Sequence, residues 1–209
     1  MGRGLSGLRS APIRIRANSR NLKMKLILWM AMSLNGMIAR PNNEEDFLSE
    51  DTWLEWLRWV REVGCVIFGR KTYEVVRGYG EESLQDLKGI KIMVVSSQKD
   101  YKVAEGFELV SSPQEALEAL ERAGFQVAVL TGGSVLDSAF AKAGLIDEIV
   151  LNVEPVVVGE GIPLFSSSLF DLKLKLLETK KVNSNLIQIH YQVLGKPGLV
   201  SQFRLKENR

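Results

Sequence analysis

One cysteine and one histidine occur in the 209 residues of this chain, and these shortages remove whole classes of chemistry. A lone Cys65 cannot form an intrachain disulfide, and it sits in an apolar, strand-like context that suits a reducing compartment such as the cytoplasm. A zinc site built from His and Cys is excluded, as is a zinc deaminase site of the H-x-E with P-C-x-x-C type, and no metal is expected. A Ser-His-Asp triad would have to use His190, which alternates with apolar residues in LIQIHYQV and reads as a strand side chain. No apolar run is long enough to span a bilayer; the stretch Leu26–Met32 is far too short. Internal repeats and an interdomain linker are missing too. So is acid from residues 1–23, where Arg3, Arg9, Arg14, Arg16, Arg20 and Lys23 stand alone.

That basic segment lacks the apolar core of a secretory signal. It shares an Arg-rich, acid-free composition with transit peptides, and it also reads as an upstream extension, because Met24 opens MKLILWMAMSLNG as a domain would open. Without residues 1–23 the remainder holds more acid than base, which gives no reason to invoke nucleic acid. With 45% hydrophobic and 25% charged residues, the chain can bury a real core. The organisation expected is a basic extension over 1–23, one domain over 24–195 and a polar tail over 196–209.

Within the domain, strands are expected at Lys25–Met32, Cys65–Phe68, Ile90–Ser96, Val127–Leu130 and Glu148–Val153. Helices are expected at Ser49–Glu62, Lys71–Val76, Pro113–Ala123 and Val135–Ala143. Ser49 can cap the first helix, with Glu50 and Asp51 suited to its first turn. Trp53, Trp56 and Trp59 wind around it, which predicts core packing with one exposed edge. Leu172–Val182 and Leu186–Leu194 flank Asn183-Ser184-Asn185, a hairpin signal. Gly195-Lys196-Pro197-Gly198 reads as the end of the domain. Alternating strands and helices closed by an antiparallel hairpin predict an α/β fold: a mixed, mainly parallel sheet flanked by helices.

Chemistry concentrates where strands end. In VLTGGSVLDSAF an apolar strand stops at Thr131-Gly132-Gly133-Ser134 and a helix follows. One reading is a tight turn with Ser134 as N-cap; the other is close approach of an anion to the free N–H groups of a helix start. VIFGRKTYE repeats the pattern with Gly69, Arg70, Lys71 and Thr72, and VVSSQK places Ser96, Ser97 and Lys99 at a third strand end. In a parallel sheet these ends share one side, where ligands bind. There is no G-x-x-x-x-G-K-[ST] and no G-x-G-x-x-G after a strand, so the P-loop and the usual Rossmann fingerprint are absent. The cations and hydroxyls would suit several phosphates, including one on a ribose 2′ oxygen as in an NADP-type cofactor.

Taken in order, MAMSLNGMIA, VIFGRKTYE, VVSSQ, LTGGSVLDSAF and LIDEIVLNVEPVVVGEGIPLF resemble the dihydrofolate-reductase-like superfamily. Within it they are most similar to the C-terminal reductase domain of the riboflavin-biosynthesis deaminase–reductases, across Met24–Leu194. The resemblance implies a three-layer fold, an NADPH cofactor and a homodimer. By the same resemblance Gly132, Gly133 and Ser134, with Thr131 before them, cradle a pyrophosphate. Gly69, Arg70, Lys71 and Thr72 form the G-R-x-T segment, and Ser96 and Ser97 the adenosine-phosphate strand end. Ala31 and the Asn35-Gly36 loop would border the nicotinamide.

The substrate half departs from the pattern. Thr131 stands where riboflavin reductases commonly carry Glu, and VVRGYGEES where they carry Asp-Asp-Pro. Folate reductases carry one acid on the helix after the first strand; Trp53 falls near that place, with Asp51 two residues earlier. The expected activity is hydride transfer from NADPH to a small heterocycle. The pyrimidine 5-amino-6-(5-phosphoribosylamino)uracil is the default substrate by resemblance, and a pterin or folate the alternative. Asp51 and Asn35 are the candidate catalytic residues; equally, Asp51 can be a first-turn acid and Asn35 a plain turn residue. A phosphorylated substrate would need a second basic cluster, for which Arg40, Arg77 and Lys88 are candidates. A non-catalytic NADP(H)-binding protein on the same fold stays open.

Overall fold

The computed structural model describes residues 24–98 and 100–198. The basic segment 1–23, Lys99 and residues 199–209 of the expected tail lie outside the described residues. Fifteen elements follow in order: β1 (Lys25–Ser33), β2 (Met37–Ala39), α1 (Glu50–Val63), β3 (Cys65–Gly69), α2 (Arg70–Gly78), α3 (Glu81–Asp86), β4 (Lys91–Val95), β5 (Phe107–Val110), α4 (Pro113–Arg122), β6 (Val127–Leu130), α5 (Ser134–Lys142), β7 (Glu148–Glu154), β8 (Ile162–Pro163), β9 (Asp171–Lys181) and β10 (Ile187–Gly198).

Eight strands form one sheet in the order β5-β4-β3-β6-β1-β7-β10-β9. The pairs from β5 to β7 are parallel, and β10 runs antiparallel to both β7 and β9. This is the mixed, mainly parallel sheet with a closing hairpin that the sequence predicts. The central β1 shows why three layers form. Leu26, Leu28 and Met30 point into one core with Phe140 and Leu120, while Ile27, Trp29 and Ala31 point into the other with Trp56 and Tyr73. A strand buried on both faces needs helices above and below it. Each large apolar side chain hidden this way contributes about 1.5–3 kcal/mol.

Helix α1 begins where expected, with Ser49 Oγ accepting from the Thr52 amide at 3.4 Å, and ends at Gly64 with φ 82°. Trp56 and Trp59 are buried and Trp53 is half-buried, the core-plus-edge arrangement that three-residue spacing implies. At the N-terminal end of the parallel strands, Lys25, Glu148 and His190 form a buried cluster, with Glu148 2.7 Å from Lys25 Nζ and 2.8 Å from His190 Nε2. Burial opposes the charge on Glu148, but hydrogen bonds from His190 and Lys25 outweigh it and hold the carboxyl below its ordinary range. His190 is thus a strand side chain with a structural partner.

Four elements escape the sequence reading. β2 and β8 are three and two residues long, too short for periodicity. β5 is an edge strand in which only Val110 is buried, and α3 is a six-residue polar turn of helix. β10 runs beyond Leu194 to Gly198, which pairs with Asp171 across a register shift; glycine and proline tolerate an edge irregularity without ending the strand. Among the described residues no helix is long and apolar enough to cross a membrane.

Candidate active site

The C-terminal ends of β1, β3, β4 and β6 open onto one crevice made of two adjoining cavities, each of about 420 Å³. The first is assembled from helix starts. Both α2 and α5 begin at a glycine, Gly69 and Gly133, with no side-chain cap, so their leading N–H groups stay available to a ligand. Around them stand Arg70, Lys71, Thr72, Ser96 and Ser97. The sequence argument therefore brings together what it named: Gly69, Arg70, Lys71, Thr72, Ser96, Ser97, Gly133 and Ser134 line one cavity. Ala31 and Thr131 line the neighbouring one. Gly132 is buried beneath the wall.

Ser134 is not the N-cap. Gly133 holds that position, and the buried Ser134 Oγ, now the first helical residue, has no hydrogen-bond partner among the described residues. Gly69 permits a close approach, but the group that approaches is the glycine turn itself. The Gly69 amide donates to the Gly132 carbonyl at 2.7 Å, and a Cβ on Gly69 would stand 3.2 Å from that oxygen. Gly132 has φ +58° and is joined to Gly133 by a cis peptide. Below the turn lies Asp137, fully buried, with neither carboxyl oxygen hydrogen-bonded among the described residues. Burial drives its proton affinity well above the ordinary range, and the backbone of Gly132 offsets only part of that.

The second cavity has a different character. Trp29, Trp53, Trp56, Phe68 and Tyr79 wall it. Trp53 and Trp56 stand 4.9 Å apart between ring centroids, and Tyr79 meets Trp53 edge-on at 6.1 Å. Trp56 Nε1 donates to Thr131 Oγ1 at 2.9 Å, which ties this wall to the glycine turn. Behind it Glu154 accepts from Ser49 Oγ at 2.9 Å and Thr52 Oγ1 at 2.6 Å, so its carboxylate is spent on fixing the start of α1. Glu45 stands at the boundary and lines both cavities. Its Oε2 accepts from the Tyr79 hydroxyl at 2.6 Å. Burial raises the Glu45 carboxyl above its usual range, and the Tyr79 hydrogen bond opposes only part of this.

Neither candidate catalytic residue reaches the crevice. Asp51 is exposed, and its Oδ2 accepts from Asn183 Nδ2 in the β9–β10 turn. The first turn of α1 places residues 49, 50, 52 and 53 on the cavity wall and rotates residue 51 away. Asn35 is occupied on both ends: its Oδ1 accepts from Ser33 Oγ and the Val158 amide, and its Nδ2 donates to the Val158 carbonyl at 2.7 Å. It pins the β1–β2 turn, as a turn residue would. Glu45 and Tyr79, hydrogen-bonded to each other, stand in the wall of the crevice that those two do not reach. No local signal singles out Glu45, one acid among several in NNEEDF.

Sheet order, three layers and a glycine-turn crevice at the parallel strand ends define a dihydrofolate-reductase-like fold. The chain belongs to the RibD C-terminal domain family, which matches residues 24–188. The protein YwjB of Bacillus subtilis (strain 168) is 30% identical over 174 residues, spanning 81% of this chain and 98% of that protein. A solved structure from Shewanella sp. PV-4, provisionally named a riboflavin biosynthesis protein, superposes with a TM-score of 0.69 at 25% identity, covering 82% of this chain and all of the other. Dihydrofolate reductase from Enterococcus faecalis, complexed with NADP(H) and RAB-propyl, shares the fold alone: TM-score 0.57, 19% identity, 82% of this chain and 98% of that one.

Proposed function

We propose that this protein is an NADPH-dependent reductase that adds hydride to a C=N or carbonyl carbon of a small planar heterocycle. The observation that carries the reading is the shared wall: Ile38, Glu45, Thr72, Val75 and Gly133 line both cavities. A phosphate-rich ligand in one cavity would therefore touch a flat ligand in the other. The donor set fits such a cofactor. Two uncapped helix starts, hydroxyls from Thr72, Ser96 and Ser97, and the charges of Arg70 and Lys71 suit a pyrophosphate and a 2′-phosphate. The cofactor supplies the hydride; the chain supplies position and the proton. Glu45, at the boundary and with its proton affinity raised, is placed to protonate the heteroatom beside the reduced carbon. The aromatic walls hold the ring and exclude water.

Family membership puts 5-amino-6-(5-phosphoribosylamino)uracil first among substrates to test, and the acid-and-aromatic pocket puts a pterin second. Titration calorimetry with NADPH and with NADH tests the cofactor reading. Binding of NADPH at least tenfold tighter is expected; binding of neither overturns it, and binding without NADPH oxidation on any heterocycle leaves a nucleotide-binding protein. We further propose a homodimer through the outer hairpin, where Leu174, Leu176, Ile187 and Leu194 are exposed; a monomeric mass by light scattering at micromolar concentration overturns that. A reducing compartment such as the cytoplasm fits Cys65, a buried thiol that burial pushes up to about 12.

A further inference from the structure

We infer that the aromatic cavity takes a phosphate-free, planar heterocycle that presents N–H or amino donors to Glu45. The inference rests on the reductase reading and narrows its substrate. Among the described residues lining this cavity there is no Lys, Arg or His, whereas two carboxylates, Glu45 and Glu50, face it. A phosphate carries nearly two negative charges at neutral pH, and its recognition calls for cations or clustered N–H donors. Here it would meet two carboxyls and flat apolar faces and no cation, a mismatch of both charge and donors.

The three cations that might have supplied a second phosphate site are elsewhere. Arg40 Nε is held by Asp46 at 2.5 Å. Arg77 donates to the Tyr73 hydroxyl at 3.2 Å and lies over that ring. With Lys88 it borders a separate surface cavity against Phe107 and Ile90. Arg70 and Lys71 belong to the cofactor half and do not line the aromatic one.

The walls describe the ligand that does fit. Trp53, Trp56 and Phe68 offer flat faces, so a fused or single aromatic ring gains contact that a flexible sugar does not. Glu45, steered by the Tyr79 hydroxyl, accepts hydrogen bonds along the ring edge.

The test is calorimetry on the full chain saturated with NADP⁺, using three probes: 5-amino-6-(5-phosphoribosylamino)uracil, the same compound without its phosphate, and 2,4-diaminopteridine. The phosphate-free compound is expected to bind at least as tightly as its phosphate ester. The diaminopteridine is expected to bind, and Glu45→Gln to weaken it at least tenfold while NADP⁺ affinity stays within threefold. Tighter binding of the phosphate ester by more than threefold overturns the inference, as does failure of the diaminopteridine to bind. NADP⁺ binding in the same titrations is the separate check on the reductase reading. Should Glu45→Gln not fold, the wild-type comparison of ester with phosphate-free compound decides alone.

Discussion

The two halves of the crevice are built on opposite plans. The half around the glycine turn is made of backbone, two helix starts and a turn whose Gly132 carbonyl lies 2.7 Å from the Gly69 amide, and its cations sit at the rim. The aromatic half is made of side chains, five aromatics and two acids carried by β1, a loop, α1, β3 and the end of α2. Each half also has a carboxyl with raised proton affinity, and the pair separates two uses of the same chemistry. Asp137 is sealed under the glycine turn, where it has no access to a ligand. Glu45, raised by burial and fixed in position by the Tyr79 phenol, stands at the edge of a cavity, where a proton has somewhere to go. Burial alone makes an acid weak; burial beside an opening makes it useful.

The widest gap between the halves should come from Glu45→Gln. NADPH oxidation by the variant is expected to fall roughly 10²–10⁴-fold, with cofactor affinity nearly unchanged in titration; equal losses in both would erase the distinction. Gly69→Ala attacks the other half. Its new methyl would stand 3.2 Å from the Gly132 carbonyl, and thermal unfolding should show a loss of about 1–3 kcal/mol together with weaker NADPH binding. Arg70→Ala should narrow the preference for NADPH over NADH by about tenfold, about 1.4 kcal/mol, without changing substrate affinity. Arg70 already leans on Glu74 at 3.2 Å and over the Tyr101 ring, so a smaller effect would mean that those contacts must break on binding.

Asp137 gives a prediction in pH. Its folded proton affinity lies above the ordinary 3.8, so the folded chain binds the proton more tightly than the unfolded one. The stability this contributes is complete below the unfolded value and declines as pH rises toward the folded value. Asp137→Asn should remove that slope, so denaturation curves of variant and wild type should diverge progressively as pH is raised, the variant being the more stable. The smallest change should be Asp51→Asn: turnover unaltered and stability within about 0.5 kcal/mol, because the side chain only holds Asn183. A large loss of turnover would return Asp51 to the mechanism.

The same division explains what could be read in the sequence. Gly69 to Thr72 and Thr131 to Ser134 are contiguous motifs at strand ends, and parallel topology alone brings them to one side. The central strands and α1 carry strong periodicity or a cap, and they form where expected. Glu45 and Tyr79 lie 34 residues apart, and their meeting depends on the path of an irregular loop and the length of α2. Asp51 stands off the cavity wall because of helix phase: one residue along α1 turns a side chain by about 100°, enough to exchange the cavity wall for the hairpin.

Three of the four tryptophans, Trp29, Trp53 and Trp56, stand in the wall of the aromatic cavity, and the fourth, Trp59, packs edge-on against His190 with 5.8 Å between ring centroids. The crevice therefore carries its own lamp. Indole emission overlaps the absorption of reduced nicotinamide and not that of the oxidised ring, so energy transfer would tell a reduced nicotinamide bound in the crevice from an oxidised one without any label. A flat ligand stacked on Trp53 would quench the same light directly.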